Sequence, residues 1–418
     1  ARPTGVSVKN VDGDLVVAWN AVGGAAGYRV YRASVDADGV RAFDEGVVVN
    51  GGTSVSAVFG DVRNGSTLAF KVAALDDNGE GFASNVVAAR VGTPVAVLVD
   101  AYDRVDAFVQ DQDNTRSYAF EHAQALSAAL SASDNGGGFD GVSDELVEAG
   151  LSLSAYPFVD LWTGKDSTEH TALSSSLQTR LRTYVTGGGR LFVSGEEIGY
   201  GLGQVSTNPA DAAFLAEVLG ATYIADDAET NDVTLFDGAA RIDDGTGGVY
   251  AVQFPDVIAA ASGAEVIGTY PNARGAMVHK GNVVFLATPF EALVSSSTRT
   301  RVMGEIVALL DVPVLPIPAE GEGEGEGEGE GEPGEGEGEG EGEPGEGEGE
   351  GEEGEGEEGE GEPGEGEGEG EEGEGEGEGR RIVIRNKAKE GCGCSGASPP
   401  EAMLLVGGLL VLRRRRRP

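Results

Sequence analysis

Two pairs of carboxylic acids follow predicted buried strands. Asp100 and Asp103 come directly after the apolar run at residues 95–99, and Glu196 and Glu197 follow a later apolar strand. In a parallel sheet the carboxyl ends of the strands meet at one edge, so both pairs are expected there. Close carboxylates can share a proton or hold a hard cation such as Ca2+. The alternative is that these acids occupy turns and helix starts, where negative charge suits helix N-termini.

The segment at residues 187–202, GGGRLFVSGEEIGYGL, has the layout of a nucleophile elbow, in which a buried strand enters a tight glycine-flanked turn. It resembles the class I glutamine amidotransferase-like fold, whose elbow reads Gly-x-Cys-x-Gly. The match to Gly195-Glu196-Glu197-Ile198-Gly199 places Glu197 where the nucleophile would stand. That family also has a His-Pro-Glu sequence after a late strand, and its counterpart in FLATPFEAL has Thr288 at the histidine position. The resemblance therefore implies a catalytically degenerate domain.

Acyl transfer needs a nucleophile with a base within hydrogen-bond reach. The histidines are His122, His170 and His279, and the sequence places none of them beside Ser194. His122 lies on a predicted helix among alanines and is interpreted as a surface or capping residue. Ser194 also lacks the Gly-x-Ser-x-Gly spacing of a hydrolase serine. The sequence thus predicts no enzyme in this stretch, and the two acid pairs remain as weak catalytic candidates.

Strands and helices alternate over residues 94–312. Buried apolar runs at residues 95–99, 158–162 and 191–193 are separated by amphipathic helical patterns, the second of which ends at Gly187-Gly188-Gly189. This order predicts an α/β doubly wound domain, with a parallel sheet covered on both faces. The resemblance described above implies a flavodoxin/amidotransferase-like version of it.

Residues 1–93 contain short strands separated by turn residues, which predicts a two-sheet β-sandwich. The sequences LVVAWNAV, YRVYR and LAFKVAALDDNGEGFASN resemble a fibronectin type III domain. The resemblance implies that Trp19 is the core tryptophan and that Tyr28 and Tyr31 lie on the next strand. Leu68 stands where that family has its corner tyrosine.

Residues 313–390 form an acidic stretch of Gly and Glu that ends in a basic spacer, and they dominate a formal net charge of −43. Such a sequence cannot bury a core, so a disordered stalk is predicted. The folded part is only mildly acidic and has no basic patch with interleaved aromatics, which argues against nucleic acid as a partner.

Residues 391–418 combine Cys392 and Cys394 with a short apolar run and a block of arginines. The run at residues 402–412 is too short to span a bilayer of about 30 Å. This order resembles the MYXO-CTERM type of C-terminal sorting tail. The resemblance implies cleavage by a sorting protease near the cysteines, lipid attachment there, and contact with the membrane through the C-terminus.

The start of the chain, Ala1, has neither a methionine nor an apolar leader, so an export signal or a further domain is expected upstream.

Three other acidic loops have oxygen-rich spacing without a full calcium-loop pattern and are interpreted as turns: Asp36-Ala37-Asp38-Gly39, Asp111-Gln112-Asp113-Asn114 and Asp243-Asp244-Gly245.

The YDR, SGEEIG and TPFE sequences of the second domain also resemble a domain of bacterial surface proteins, often found behind a fibronectin type III domain. We therefore expect an exported, non-catalytic binding or positioning protein at the cell surface or outer membrane. Its expected partner is an envelope or extracellular polymer or protein. The alternative is the accessory region of a cell-wall amidase or polysaccharide lyase whose catalytic domain lies upstream.

Overall fold

The computed structural model of the chain describes residues 1–35, 42–104, 118–131, 137–167 and 172–313. The cysteine tail and the Gly-Glu stretch beyond Pro313 lie outside these ranges, as do His170 and the acidic loops at residues 36–39 and 111–114. Within the described residues, no helix combines the length and the apolar character needed to cross a membrane.

The N-terminal part consists of antiparallel strands. They are β1 (Ser7–Val11), β2 (Asp14–Ala18), β3 (Gly27–Ser34), β4 (Val47–Asn50), β5 (Ser56–Phe59), β6 (Thr67–Asp76), β7 (Gly79–Ala83) and β8 (Val87–Arg90). One sheet joins β1, β2 and β5, and the other joins β4, β3 and β6 with β7 and β8. The predicted β-sandwich is confirmed.

The core of the sandwich forms around Trp19, which is buried and packs against Tyr28 with ring centroids 5.2 Å apart. The Tyr28 hydroxyl donates to the carbonyl of Gly52 at 3.0 Å. Tyr31 lies three residues further along the same strand and therefore on its opposite face. Its hydroxyl reaches the carboxylate of Glu80 at 2.5 Å, outside the core.

The remaining strands and helices lie beyond Gly92. The strands are β9 (Pro94–Asp100), β10 (Gly138–Ser143), β11 (Phe158–Trp162), β12 (Arg190–Ser194), β13 (Ala221–Ala225), β14 (Asp232–Leu235), β15 (Gly238–Arg241), β16 (Val257–Ala260), β17 (Glu265–Thr269), β18 (Gly275–Lys280) and β19 (Val283–Leu286). The helices are α1 (Ala119–Ser131), α2 (Asp144–Glu148), α3 (Ser175–Thr186), α4 (Ile198–Tyr200), α5 (Pro209–Glu217) and α6 (Ser296–Leu309).

Five of these strands are parallel, in the order β10-β9-β11-β12-β19. Their side chains alternate between two apolar clusters, one that includes residues of α1 and α6 and one that includes residues of α3 and α5. α3 begins after Ser174, whose hydroxyl accepts the amide of Leu177 at 3.1 Å, and it ends at the glycine run. Helices therefore cover both faces of the parallel strands.

An antiparallel group, β13 to β18, lies between α5 and β19 and joins the sheet through the pairing of β18 with β19. The helical and strand patterns described above do not anticipate this group. Its strands are short and several are half-exposed, so they lack the unbroken apolar run of the parallel strands.

The sandwich and the parallel strands share one continuous sheet, because β10 pairs with β1 and β8 of the sandwich and with β9. β10 has the sequence GFDGVS, and all six of its residues are buried. A Cβ atom at Gly141 would collide with the backbone of Ala88, which explains a glycine in a buried strand. Asp140 accepts the backbone amide and the side-chain amide of Asn10, each at 2.9 Å.

Candidate functional site

The carboxyl ends of the parallel strands are aligned and form one edge of the sheet. In the strand register Ser143 faces Asp100, Asp100 faces Trp162, and Trp162 faces Ser194. Residues that directly follow these positions are therefore gathered at this edge. We call this surface the carboxyl edge.

Glu197 occupies the tight turn after β12 and has a left-handed backbone, with φ of 67° and ψ of 2°. This conformation is uncommon for a residue other than glycine. Gly195 is required two residues earlier, because a Cβ atom there would collide with the side chain of Thr163. The turn therefore has the strained geometry of a nucleophile elbow, with a half-buried carboxylate at its tip.

The pKa of Glu197 is raised to about 7 by burial and then by the nearby charges of Asp226, Glu196 and Asp166. One of its oxygens, Oε2, is buried and accepts no hydrogen bond within the described part of the chain. At neutral pH this carboxyl group can therefore either donate or accept a hydrogen bond.

Glu196 binds the backbone of a neighbouring loop. Its Oε1 accepts the backbone amides of Gln253 at 3.2 Å and Phe254 at 3.1 Å, and the side chain is buried. Burial raises the pKa of Glu196 to about 7, although those backbone hydrogen bonds and the charge of Lys165 lower it. Glu196 therefore fixes the loop before β16 against the elbow.

Asp256 binds the backbone that follows Glu197 at the elbow. Its Oδ2 accepts the backbone amides of Gly199 at 2.8 Å and Tyr200 at 3.1 Å. Burial raises the pKa of Asp256 well above its usual range, and the charge of Glu197 adds to the effect. The sequence patterns identified neither Asp256 nor Asp226, since both come from the antiparallel group that those patterns did not anticipate.

The other predicted pair, Asp100 and Asp103, lies at the same edge but on the other side of β11. Asp100 is buried, and it accepts the amide of Tyr102 and the side-chain amide of Asn85, each at 3.0 Å. Because β9 and β12 both pair with β11, about 10 Å separates the two strands that carry the acid pairs. The structure therefore forms two acidic groups at the edge.

Aromatic side chains lie beside the elbow. The rings of Tyr200 and Tyr223 are 5.5 Å apart, and both are partly exposed. Phe254, whose amide is bound by Glu196, is 45% exposed. Burial raises the pKa of Tyr223 to about 12, and the charges of Asp226, Asp256 and Glu197 add to the effect. The elbow thus combines a half-buried carboxyl group with accessible aromatic rings.

His122 is fully buried, so its interpretation as a surface or capping residue is wrong. It lies between two buried carboxylates, with Nδ1 2.8 Å from Asp160 Oδ2 and Nε2 3.3 Å from Glu291 Oε2. Its ring stacks on Trp162 at 4.3 Å. Burial lowers the pKa of His122, but Asp160 and Glu291 outweigh burial and raise the pKa to about 9.

Neither of the two described histidines reaches the elbow. Both ring nitrogens of His122 are engaged by carboxylates, and those of His279 contact Glu265 and the carbonyl of Gly281 on an exposed hairpin. Thr288 stands where the amidotransferase-like enzymes have a histidine, and it is buried after β19. Within the described residues the elbow carboxylate therefore has no histidine partner for general-base chemistry.

Asp243 lies in the one predicted acidic loop that the structure describes, and its carboxylate stabilises a turn. Its Oδ1 accepts the backbone amides of Gly245 at 2.9 Å, Thr246 at 3.1 Å and Gly247 at 3.3 Å. Asp244 pairs instead with Arg241 at 2.5 Å. These contacts satisfy the carboxylates within the loop.

No sequence profile of a known protein family matches the chain. A comparison with curated proteins also finds no match. Among solved structures, the chain is similar to a β-galactosidase from Marinomonas ef1, with 13% identity over 54% of this chain and 30% of the other, at a TM-score of 0.31.

The chain is also similar to fibronectin type III domains. One is from human contactin 1, with 22% identity over 21% of this chain and 75% of the other, at a TM-score of 0.19. Another is a Fn3-like protein from Clostridium thermocellum, with 24% identity over 20% of this chain and 84% of the other, at a TM-score of 0.17.

Proposed function

We propose that this chain is a non-catalytic, surface-displayed binding module that holds an envelope or extracellular polysaccharide at the elbow. The observation that carries the proposal is the position of Glu197. A carboxyl group stands at the strained turn where the amidotransferase-like enzymes that this domain resembles have their nucleophile. Its described neighbours include other acids, Tyr223 and the guanidinium of Arg104. This set of groups favours binding over acyl transfer.

Polyhydroxylated ligands suit these groups. The rings of Tyr200 and Tyr223 offer flat apolar faces with a polar hydroxyl, and such faces pack against the C–H surfaces of sugar rings. A carboxyl group with a pKa of about 7 can donate to or accept from sugar hydroxyls in either protonation state. The acid groups of Glu197 and Asp226 disfavour anionic segments of a polymer, while the positive charge of Arg104 offsets part of this effect.

The fold assignment that accompanies this function is a fibronectin type III sandwich followed by a degenerate amidotransferase-like α/β domain. Its support is the Trp19 core on one side and the elbow geometry of Gly195 and Glu197 on the other. β10 connects the sandwich and the α/β domain through a shared sheet. In this proposal the sandwich therefore supports the α/β domain, which binds the ligand.

Binding is expected to depend on the elbow. The full chain is incubated with insoluble peptidoglycan sacculi and with a panel of neutral polysaccharides, and the retained fraction is measured. Glu197→Gln and Tyr223→Ala are each expected to weaken retention about tenfold, the effect of losing roughly 1.4 kcal/mol of binding free energy.

The matched control is Phe82→Ala, since Phe82 is 69% exposed on β7 of the sandwich. This variant removes a similar apolar group without changing the elbow and should bind like the wild type. Retention by none of the polymers, or equal loss in all three variants, would refute a binding site at the elbow.

Display at the surface depends on the residues beyond Pro313, which lie outside the described ranges. We propose that the Gly-Glu stretch at residues 313–390 holds the folded part away from the membrane, and that the tail at residues 391–418 is cleaved and lipidated near Cys392 or Cys394. Mass spectrometry of surface-extracted protein is expected to show a shortened C-terminus with a lipid on a cysteine. An intact C-terminus at Pro418 with both thiols unmodified would exclude this sorting.

A further inference from the structure

A second acidic group lies at the carboxyl edge, on the side of β9 and β10. Asp103, Asp144 and Glu145 each contribute a carboxylate oxygen, and these oxygens lie within 4.8 Å of one another. The arrangement follows from the register, since the end of β10 at Ser143 faces the end of β9 at Asp100. The residues after both strands therefore come together.

Asp144 is the unusual member of this group. It is only 6% exposed, and its Oδ1 accepts no hydrogen bond within the described part of the chain. Glu145 also has a buried oxygen, Oε2, with no hydrogen-bond partner in that part. A buried carboxylate without donors is costly, so a positive charge or a proton must compensate it.

The surroundings of Asp144 supply negative charge. Burial raises the pKa of Asp144 to about 9, and the charges of Asp103, Glu145, Asp100 and Glu148 raise it further in the same direction. None of the ion pairs formed by the described residues includes Asp144 or Glu145. Neither Asp144 nor Glu145 is therefore neutralised by a described side-chain cation.

We propose that Asp103, Asp144 and Glu145 bind a hard divalent cation, with Ca2+ as the preferred ion. Calcium takes six to eight oxygen ligands in irregular geometry, whereas Mg2+ requires a near-ideal octahedron. Asp103 is exposed, so water can complete the coordination from the solvent side. This site is separate from the elbow, because β11 lies between the strands that carry the two acidic groups. It therefore does not depend on the function proposed above.

The test is the melting temperature of the full chain in EGTA and in 5 mM CaCl2. A site half-saturated near 1 mM, a value typical of extracellular calcium modules, should raise the melting temperature by about 2–4 °C. Asp144→Asn keeps the shape of the side chain and removes its charge, so it should abolish the calcium-dependent rise. It should leave the melting temperature in EGTA unchanged or higher.

The Gly-Glu stretch could bind calcium weakly, so each result is compared between variants that all retain it. Glu265→Gln removes an exposed acid on β17, a strand of the antiparallel group beyond β19, and should keep the full rise. If Asp144→Asn fails to fold, Asp103→Asn at the exposed position tests the same ligand set. No rise in the wild type, an undiminished rise in the Asp144 or Asp103 variant, or a rise with MgCl2 but not with CaCl2 would overturn the proposal.

Discussion

Replacement of His122 by leucine is expected to destabilise the folded chain by about 3–5 kcal/mol, the cost of removing one member of a buried ion pair. His122 is held between Asp160 and Glu291 at 2.8 and 3.3 Å, and all three side chains are fully buried. Leucine would leave two carboxylates facing each other without a cation. Urea unfolding monitored by tryptophan fluorescence gives the change in the free energy of unfolding.

The matched control is His279→Leu, since that histidine lies on a hairpin and pairs with an exposed glutamate. Its cost should stay within about 1 kcal/mol, as for exposed ion pairs in general. A triple variant that also carries Asp160→Asn and Glu291→Gln should recover at least half of the loss, because it removes the uncompensated charges. A loss below about 1 kcal/mol for His122→Leu alone would show that the buried pair does not stabilise the fold.

The free energy of unfolding is expected to fall as the pH rises from 6 to 9.5. The pKa of His122 is raised from 6.5 to about 9, so the folded state binds this proton more tightly than the unfolded state. The stabilisation is complete below pH 6.5 and is lost as the pH rises through 9. A tenfold change in proton affinity is worth about 1.4 kcal/mol, so this group contributes roughly 3 kcal/mol.

Glu196 and Glu197 act in the same direction at lower pH. Their pKa values are raised from 4.5 to about 7, so the folded state again favours the protonated form, and stability is lost as the pH rises from 4.5 through 7. Urea unfolding in EGTA at each pH gives the profile. The His122→Leu variant should lose the part of the slope between pH 6.5 and 9 that comes from His122, while Asp144, whose pKa burial raises to about 9, keeps a slope of the same sign there. A wild-type profile that is flat or rises over this interval would contradict these proton affinities.

The sequence predicted well the elements whose pattern is local. The β-sandwich follows from short strands separated by turn residues, and the tight turn at Gly195 and Glu197 follows from glycines at the end of an apolar run. Both depend on neighbouring residues, so periodicity and turn composition are sufficient to identify them. The core position of Trp19 was implied by the resemblance to fibronectin type III domains.

The sequence did not reveal features that depend on long-range contacts. β10 contains two glycines and an aspartate, and it is a buried strand only because Gly141 packs against Ala88 of the sandwich. The burial of His122 cannot be predicted from local sequence, because its carboxylate partners lie 38 and 169 residues away along the chain. Asp144 was missed because it follows β10, so an unrecognised strand also concealed a site residue.

The elbow is expected to retain a polysaccharide without cleaving it. The most direct measurement takes a polymer that the full chain retains and counts new reducing ends and released amino groups over time, for the wild type and for Glu197→Gln. We predict retention by the wild type with no new ends above the protein-free blank, and weaker retention by the variant. Cleavage by the wild type that Glu197→Gln abolishes would contradict the account, because it would show that the carboxyl group at the elbow is a catalytic nucleophile or base.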